Sequence, residues 1–160
     1  DHRPEGGDRR MNLPALTPLL WYEDPNSALA WLEKAFGFET RLVVDDGKGG
    51  VIHSETTFED GVLMVVGPPS GKAASPKSAG RHTGSVHVQL KSGLDAHCER
   101  ARAAGAKIER EPADQPYGDR VYTCLDLESH PWSFGQEIKA MSAAEMSAAT
   151  GREIREPARS

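Results

Sequence analysis

The chain has 160 residues, of which 38% are hydrophobic, 27% charged and 6% aromatic, and its net charge is -5 at pH 7. These figures are typical of an ordinary globular domain, and the acidic balance without a basic run argues against a nucleic-acid partner. No apolar stretch approaches the roughly 18 residues that a membrane span needs. Two cysteines, Cys98 and Cys124, are too few for a disulfide framework. We therefore expect a cytoplasmic chain with free thiols and no membrane partner.

Both ends of the chain differ in composition from the rest. Residues 1–10 are charged and contain glycine, which is unlike a signal peptide, and Met11 could be the native start. We expect residues 1–10 to be a disordered head or an added segment, and the folded domain to span residues 11–139. The tail, residues 140–160, predicts a short helix over Ser142–Ala149 and disorder from Gly151 onward.

The first predicted module covers residues 13–66 and begins with a strand over Leu13–Tyr22. Asp24 is a good N-cap and Pro25 suits the first position of a helix, which Gly37 then ends. Apolar residues recur inside this helix at the spacing of one buried face. Three predicted strands follow, Glu39–Val44, Val51–Phe58 and Val62–Val66, with an Asp-Gly turn signal between the last two.

The second predicted module covers residues 85–137 and repeats this order. A strand over Ser85–Leu90 precedes a helix over Leu94–Ala104, and three strands follow at Lys107–Glu111, Arg120–Leu127 and Trp132–Glu137. The linker, residues 67–84, is rich in Pro, Gly, Ser and Ala and predicts a flexible loop. The sequence therefore predicts an α+β fold that uses one βαβββ unit twice.

Several short motifs, taken in order, carry a resemblance to a known family. The opening run extends from Pro18 to Glu39, and His53-Ser54-Glu55 lies on the third strand. The closing motifs are Tyr-Gly-Asp-Arg at residues 117–120 and Asp-Leu-Glu-Ser-His-Pro-Trp-Ser-Phe-Gly at residues 126–135. Together they resemble the vicinal oxygen chelate superfamily, which includes glyoxalase I, bleomycin-resistance proteins and extradiol dioxygenases. The resemblance covers about Leu13 to Glu137.

The resemblance implies a fold, a ligand and a partner. It implies two four-stranded, strongly curved sheets that form an open cup, with a small organic molecule bound in the cup. It also implies a homodimer, because such cups are often completed across a dimer interface. Metal-dependent members of the superfamily hold a divalent ion with ligands on the first and last strands of each module.

Those four metal positions fall near Thr17, Met64, His87 and Ser133. Of these, the His87 imidazole alone is a good ligand, since two hydroxyls and a soft thioether are unsuited to hard divalent ions. The resemblance therefore implies no metal cofactor at these positions. An unconventional metal site stays open, because His53 and Glu55 share one strand face and would make a two-His, one-carboxylate set with His87.

Other side chains are candidates for contact with a ligand. Trp21 and Tyr117 offer aromatic faces, whereas the parity of Trp132 on the last strand favours core packing. The Arg120 guanidinium could clamp a carboxylate or phosphate, or it could pair with Asp119 or Asp126 at the surface. The complete set of predicted ligand contacts is Thr17, Trp21, His53, Glu55, Met64, His87, Tyr117, Arg120 and Ser133.

Three of these residues have two interpretations each. His87 is either a half-buried histidine satisfied by a neighbour or a ligand-contacting group. His53 and Glu55 are either an exposed cross-strand ion pair or a general base and the carboxylate that orients it.

The function predicted from these features is metal-independent binding of a small molecule by a glyoxalase/bleomycin-resistance-like protein. The alternative is a divalent-metal-dependent lyase, isomerase or dioxygenase of the same superfamily, in which the metal would polarise paired substrate oxygens. A third interpretation is an interaction protein without a small ligand, which a cup filled by side chains would favour.

Overall fold

A computed structural model describes residues 12–159, so the predicted head lies outside the described residues. The elements in chain order are β1 (Leu19–Trp21), α1 (Pro25–Phe36), β2 (Glu39–Asp45), β3 (Val51–Phe58), β4 (Gly61–Val66), α2 (Pro76–Ala79), β5 (Val86–Leu90), α3 (Leu94–Ala103), β6 (Lys107–Asp114), β7 (Asp119–Leu125), β8 (Pro131–Glu137) and α4 (Ala143–Thr150). The predicted α+β fold of two βαβββ repeats is confirmed. Among residues 12–159, no helix is long and apolar enough to cross a membrane.

The chain divides into two compact units, each built on one sheet. The first unit ends at Thr83 and also includes Leu127–His130, and the second contains Gly84–Asp126 and the chain from Pro131 onward. The strand order is β1-β4-β3-β2 in the first sheet and β5-β8-β7-β6 in the second. In both sheets the first strand of the module runs parallel to its last strand, while the other neighbours are antiparallel. The repeat is therefore one of topology and strand direction.

Helix α1 has the boundaries that its capping residues predict. The Asp24 carboxylate accepts hydrogen bonds from the Ser27 backbone N–H at 3.1 Å and from the Ser27 hydroxyl at 2.7 Å. These hydrogen bonds lower the pKa of Asp24 from its ordinary value. Gly37 ends the helix in the left-handed conformation, with a φ of 77°. The buried side chains of the helix include Ala28, Leu29, Leu32, Ala35 and Phe36.

Some predicted boundaries were wrong for identifiable reasons. The strand predicted over Leu13–Tyr22 contains only Leu19–Trp21, because Pro14 and Pro18 have no N–H to donate to a strand ladder. Strand β6 continues to Asp114, beyond its predicted end. The linker predicted to be loop throughout contains the short helix α2.

The predicted tail helix is confirmed, shifted by one residue. Ser142 and Glu145 form a capping box in which each side chain bonds the backbone of the other residue. Gly151 ends the helix in the left-handed conformation. No helix or strand follows among the described residues, up to residue 159.

Each sheet has one face toward the helix of its own unit, and we call the opposite face the open face. In the first unit, the ring of Phe58 lies 5.4 Å from that of Phe38, which lies 5.6 Å from the Phe36 ring of α1. Phe58 is therefore on the helix face. Because side chains alternate along a strand, His53 and Glu55 on β3 lie on the open face.

The pairing of strands extends this assignment across the first sheet. Thr56 has the parity of Phe58 and pairs with Leu63, so the next residue, Met64, lies on the open face. Leu19 pairs with Met64, and Trp21 has the same parity as Leu19. The open face of the first sheet therefore carries Leu19, Trp21, Met64, His53 and Glu55.

The second sheet is assigned in the same way. The ring of His97, on α3, lies 4.4 Å from that of Phe134 and 5.9 Å from that of Tyr122, so both aromatic residues are on the helix face. Their neighbours of opposite parity on β8 are on the open face. That face carries Ser133, Gly135 and their β5 partners His87 and Gln89.

Candidate functional site

The open face of the second sheet carries four side chains joined by hydrogen bonds, which we call the His87 chain. The Nδ1 atom of His87 lies 2.6 Å from Ser133 Oγ, and its Nε2 atom lies 2.8 Å from Gln89 Oε1. Gln89 Nε2 in turn donates to Asp119 Oδ2 at 3.3 Å. His87 and Gln89 are exposed, while Ser133 and Asp119 are half-buried. The His87 chain is thus both held in place by hydrogen bonds and accessible.

Gly135 makes room for this arrangement. A Cβ atom at Gly135 would lie 2.9 Å from Gln89 Oε1 and 3.0 Å from His87 Cε1, which is closer than such atoms pack without a shift. The side chains of His87 and Gln89 therefore lie across β8 where it has no side chain of its own. Any larger residue at this position would push them aside.

The open face of the first sheet has a different character. His53 Nε2 lies 3.1 Å from Glu55 Oε1, and the Glu55 side chain is fully buried while that of His53 is 26% exposed. Trp21 and Met64 are half-buried. The face is therefore mostly apolar, with one histidine–carboxylate pair.

The register of the strands shows which residues occupy equivalent places in the two sheets. Leu19 pairs with Met64 in the first sheet, and His87 pairs with Ser133 in the second. Thr17 lies before β1, where its hydroxyl donates to the Pro14 carbonyl at 3.3 Å. The counterpart of His87 is therefore Leu19, two residues from the predicted Thr17.

These residues do not fit a divalent cation. The register places a leucine, a thioether, an imidazole and a hydroxyl at the four expected positions, and both ring nitrogens of His87 are bonded to side chains. Within residues 12–159, no group of three or more His, Cys, Asp or Glu is placed to hold a metal ion. The set predicted from His53, Glu55 and His87 is thus without support in the described part of the chain.

Arg120 lies on the helix face of the second sheet. Its guanidinium bonds Asp95 of α3 at 2.9 Å and Asp114 of β6 at 2.9 Å, and these hydrogen bonds raise its pKa. The aspartates weighed as its partners from the sequence were Asp119 and Asp126, and neither is the observed one. Arg120 is engaged within the protein, away from the open face.

The remaining candidates separate into surface and core. Tyr117 is 42% exposed, in the turn between β6 and β7. Trp132 is buried, as its parity predicts, and its Nε1 donates to Asp126 Oδ2 at 3.0 Å. Burial raises the pKa of Cys98 to about 11 and that of Cys124 to about 12. Both thiols are free, and at neutral pH they are protonated and poor nucleophiles.

Glu128 has a structural role that sequence reasoning missed. Its buried carboxylate accepts the backbone N–H groups of Glu23 at 2.7 Å and Asp24 at 3.0 Å, immediately before α1. His130, two residues later, donates from Nε2 to the Trp21 carbonyl at 2.7 Å. Because these partners are more than 100 positions apart in the chain, no local pattern could indicate them.

Gln89, Gly135 and Asp119 were also missed as members of the site. A signal for Gln89 existed, since it lies two residues after His87 on the same strand face. Asp119 lies on another strand, and its contact with the His87 chain depends on the pairing of β7 with β8. The role of Gly135 depends on the same register.

Comparison with known proteins agrees with this fold. A family model described as Glyoxalase/Bleomycin resistance protein/Dioxygenase superfamily matches residues 15–134. The uncharacterized protein Rv0887c of Mycobacterium tuberculosis is 31% identical over 153 residues, which cover 92% of this chain and 89% of that protein.

Solved structures show the same similarity. TioX from Micromonospora sp. ML1 is 32% identical with a TM-score of 0.62, over 76% of this chain and 97% of that one. The fosfomycin resistance protein FosX from Listeria monocytogenes is 16% identical with a TM-score of 0.59, over 85% and 99% of the two chains. At that identity the likeness to FosX concerns the fold alone.

Proposed function

The chain belongs to the Glyoxalase/Bleomycin resistance protein/Dioxygenase superfamily, and we propose that it binds a small organic molecule on the open face of its second sheet without a divalent metal. One observation carries this proposal: both ring nitrogens of His87 are bonded to protein side chains while the residue is exposed. A few ordered polar groups on an accessible surface are what fixes the orientation of a small ligand.

The chemistry of this face suits hydrogen bonding and stacking. His87, Gln89 and Ser133 offer donors and acceptors, and their hydrogen bonds hold them in place before a ligand arrives, which lowers the entropy cost of binding. The imidazole lies across β8 at Gly135, so its ring offers a flat surface on which a planar group can stack.

A fragment screen tests the proposal. We expect at least one small polar aromatic fragment to shift the NMR resonances of β5 and β8 equally with and without EDTA. Replacing His87 by Ala should weaken that fragment about tenfold, which is the loss of roughly one hydrogen bond. His82→Ala, which removes an exposed histidine of the linker, is the matched control and should leave binding unchanged. Binding that EDTA abolishes would contradict the proposal.

A second candidate, proton transfer, is favoured by the His53–Glu55 pair. A buried carboxylate that accepts from Nε2–H orients the imidazole, and the Nδ1 lone pair of the neutral ring would be available as a general base. Incubation with hydroxyacetone in deuterium oxide tests this activity, since a base of this kind would exchange its C–H protons. Exchange that His53→Gln abolishes and His82→Ala preserves would support it, and no exchange above the protein-free rate would exclude it for this substrate class.

The resemblance also supports a homodimer as a proposal. Light scattering after gel filtration tests it directly, because a dimer has twice the mass of one chain. A monomer at micromolar concentration would contradict it.

A further inference from the structure

The His87 chain begins at a group that fixes the direction of its hydrogen bonds. An ionised carboxylate such as that of Asp119 accepts hydrogen bonds and has no proton to donate. Gln89 must therefore turn its amide N–H toward Asp119, at 3.3 Å, and its carbonyl oxygen toward His87. The opposite amide orientation would bring two acceptors together.

The Gln89 carbonyl oxygen in turn fixes the position of the proton on the His87 imidazole. Since Gln89 Oε1 accepts only, the proton of a neutral His87 must be on Nε2, 2.8 Å away. Nδ1 then carries a lone pair and accepts the Ser133 hydroxyl proton, at 2.6 Å. Asp119 thus selects one histidine tautomer from two residues away in the chain of contacts.

The hydrogen bonds of the His87 chain end at the Ser133 oxygen. Its proton points at Nδ1, which leaves its lone pairs for another donor, and no second hydrogen-bond partner of Ser133 Oγ occurs within residues 12–159. Ser133 is half-buried and borders the exposed His87, so a small molecule can reach it. A ligand acceptor at this place would meet a lone pair, unless the hydroxyl turned away and left Nδ1 without its hydrogen bond.

We propose that Ser133 Oγ is a hydrogen-bond acceptor that selects ligands carrying a hydroxyl or N–H group. In this arrangement Asp119 and Gln89 are positioning residues, because they act on the ligand only through His87 and Ser133. The inference rests on the proposed function, since it names the chemical class of ligand for the same open face. It disfavours carboxylate, phosphate and ether oxygens at this position.

The tautomer is measurable without a ligand. At about pH 8.5, roughly two units above the ordinary histidine pKa, long-range ¹H–¹⁵N correlation should show His87 as the Nε2–H tautomer. Asp119→Asn supplies a side chain that can donate or accept, so both tautomers should appear. Glu137→Gln is the matched control, because Glu137 pairs with Asp119 on the same face of the sheet and takes no part in the chain. An Nδ1–H tautomer in the unaltered protein would overturn the inference.

Ligand selection is measured with paired fragments, in which a phenol or anilide N–H is compared with its O-methyl or N-methyl derivative. The donor form should bind at least tenfold more tightly to the unaltered protein and to Glu137→Gln. Asp119→Asn should reduce that ratio to about two or less. Gln89→Leu, which removes the acceptor from His87 Nε2, should likewise let both tautomers appear and provides a second variant if Asp119→Asn does not fold.

The outcomes separate the two proposals. Fragments that bind with no preference for the donor form overturn the assignment to Ser133 and leave the proposed function standing. The absence of any binding fragment overturns the proposed function itself, whatever tautomer His87 shows.

Discussion

The two sheets have the same strand order and directions, yet their open faces differ in chemistry. Where the first sheet has Leu19 beside Met64, the second has His87 beside Ser133. The next pair of that parity is Trp21 with Val66 in the first sheet, and in the second it is Gln89 with Gly135. Four substitutions at equivalent positions thus change an apolar surface into a polar, hydrogen-bonded one.

Both helix faces, in contrast, bury apolar side chains. The first sheet buries Val65 and Leu63 toward its helix, and the second buries Phe134, Tyr122 and Cys124. Packing against a helix requires apolar side chains in both units, whereas the open faces are under no such common requirement. The repeat therefore determines the fold, whereas the proposed binding chemistry lies in one half of it.

Replacing a core tryptophan should destabilise the protein more than replacing an open-face tryptophan. Trp132→Ala should reduce the free energy of unfolding by about 3–5 kcal/mol, because it leaves a large cavity and removes the indole N–H that Asp126 accepts. Trp21→Ala, on the half-buried face of the first sheet, should cost about half as much or less. Urea denaturation measures both, and equal costs would contradict the assignment of the two faces.

A smaller effect is expected at Glu128. Glu128→Gln should cost about 1–3 kcal/mol, since one of the two backbone N–H groups before α1 loses its acceptor and the negative charge at the helix N-terminus disappears. Glu137→Gln, at an exposed position on β8, should change the free energy of unfolding by about 0.5 kcal/mol or less. If the two variants were equally stable, the role of Glu128 would be refuted.

The cap at Asp24 should contribute about 1 kcal/mol to the free energy of unfolding, and this contribution depends on pH. Asp24→Ala should lose that amount at pH 7, while Asp24→Asn should lose little, because Asn is an equally good N-cap. The pKa of Asp24 is lowered in the folded protein, so its contribution is present above its unfolded value and is lost as pH falls through its folded value. Asp24→Asn should therefore weaken the loss of stability below about pH 4. If Asp24→Asn and the unaltered protein lost the same stability at acidic pH, the role of Asp24 as a cap would be contradicted.

The smallest expected change in stability comes from converting the second open face into the first. His87→Leu combined with Ser133→Met should alter the free energy of unfolding by about 1 kcal/mol or less, because His87 is exposed and Ser133 half-buried. Fragment binding should nevertheless be lost. Retained binding would show that the ligand site lies elsewhere. Arg120→Gln, on the helix face, should leave fragment binding unchanged.

Most of the fold was predictable because its signals are local. Asp24, Pro25 and Gly37 mark the ends of α1, and alternation marks β3 with the observed boundaries. The failures have equally local causes: the prolines before β1 shorten that strand, and the linker contains a helical turn with Pro76 at its start. Parity also predicted that Trp132 would lie in the core.

The site was less predictable because it depends on register between distant strands. His87 and Ser133 were singled out individually, but their 2.6 Å contact requires the parallel pairing of β5 with β8. The guanidinium of Arg120 is a group typical of a ligand clamp, and its two aspartate partners become apparent only when α3 and β6 are in place. Sequence patterns indicate which residue types could act in a site, but the partner of each residue depends on how the strands pair in the sheet.

The metal content of the protein distinguishes metal-independent binding from metal-dependent chemistry. Elemental analysis of purified, untagged protein should find no stoichiometric metal, and titration with Ni²⁺, Zn²⁺, Fe²⁺ and Mn²⁺ should leave the thermal midpoint unchanged, because both ring nitrogens of His87 already have side-chain partners. One tightly held equivalent of metal that His87→Ala abolishes would contradict metal-independent binding and favour a metal-dependent lyase, isomerase or dioxygenase.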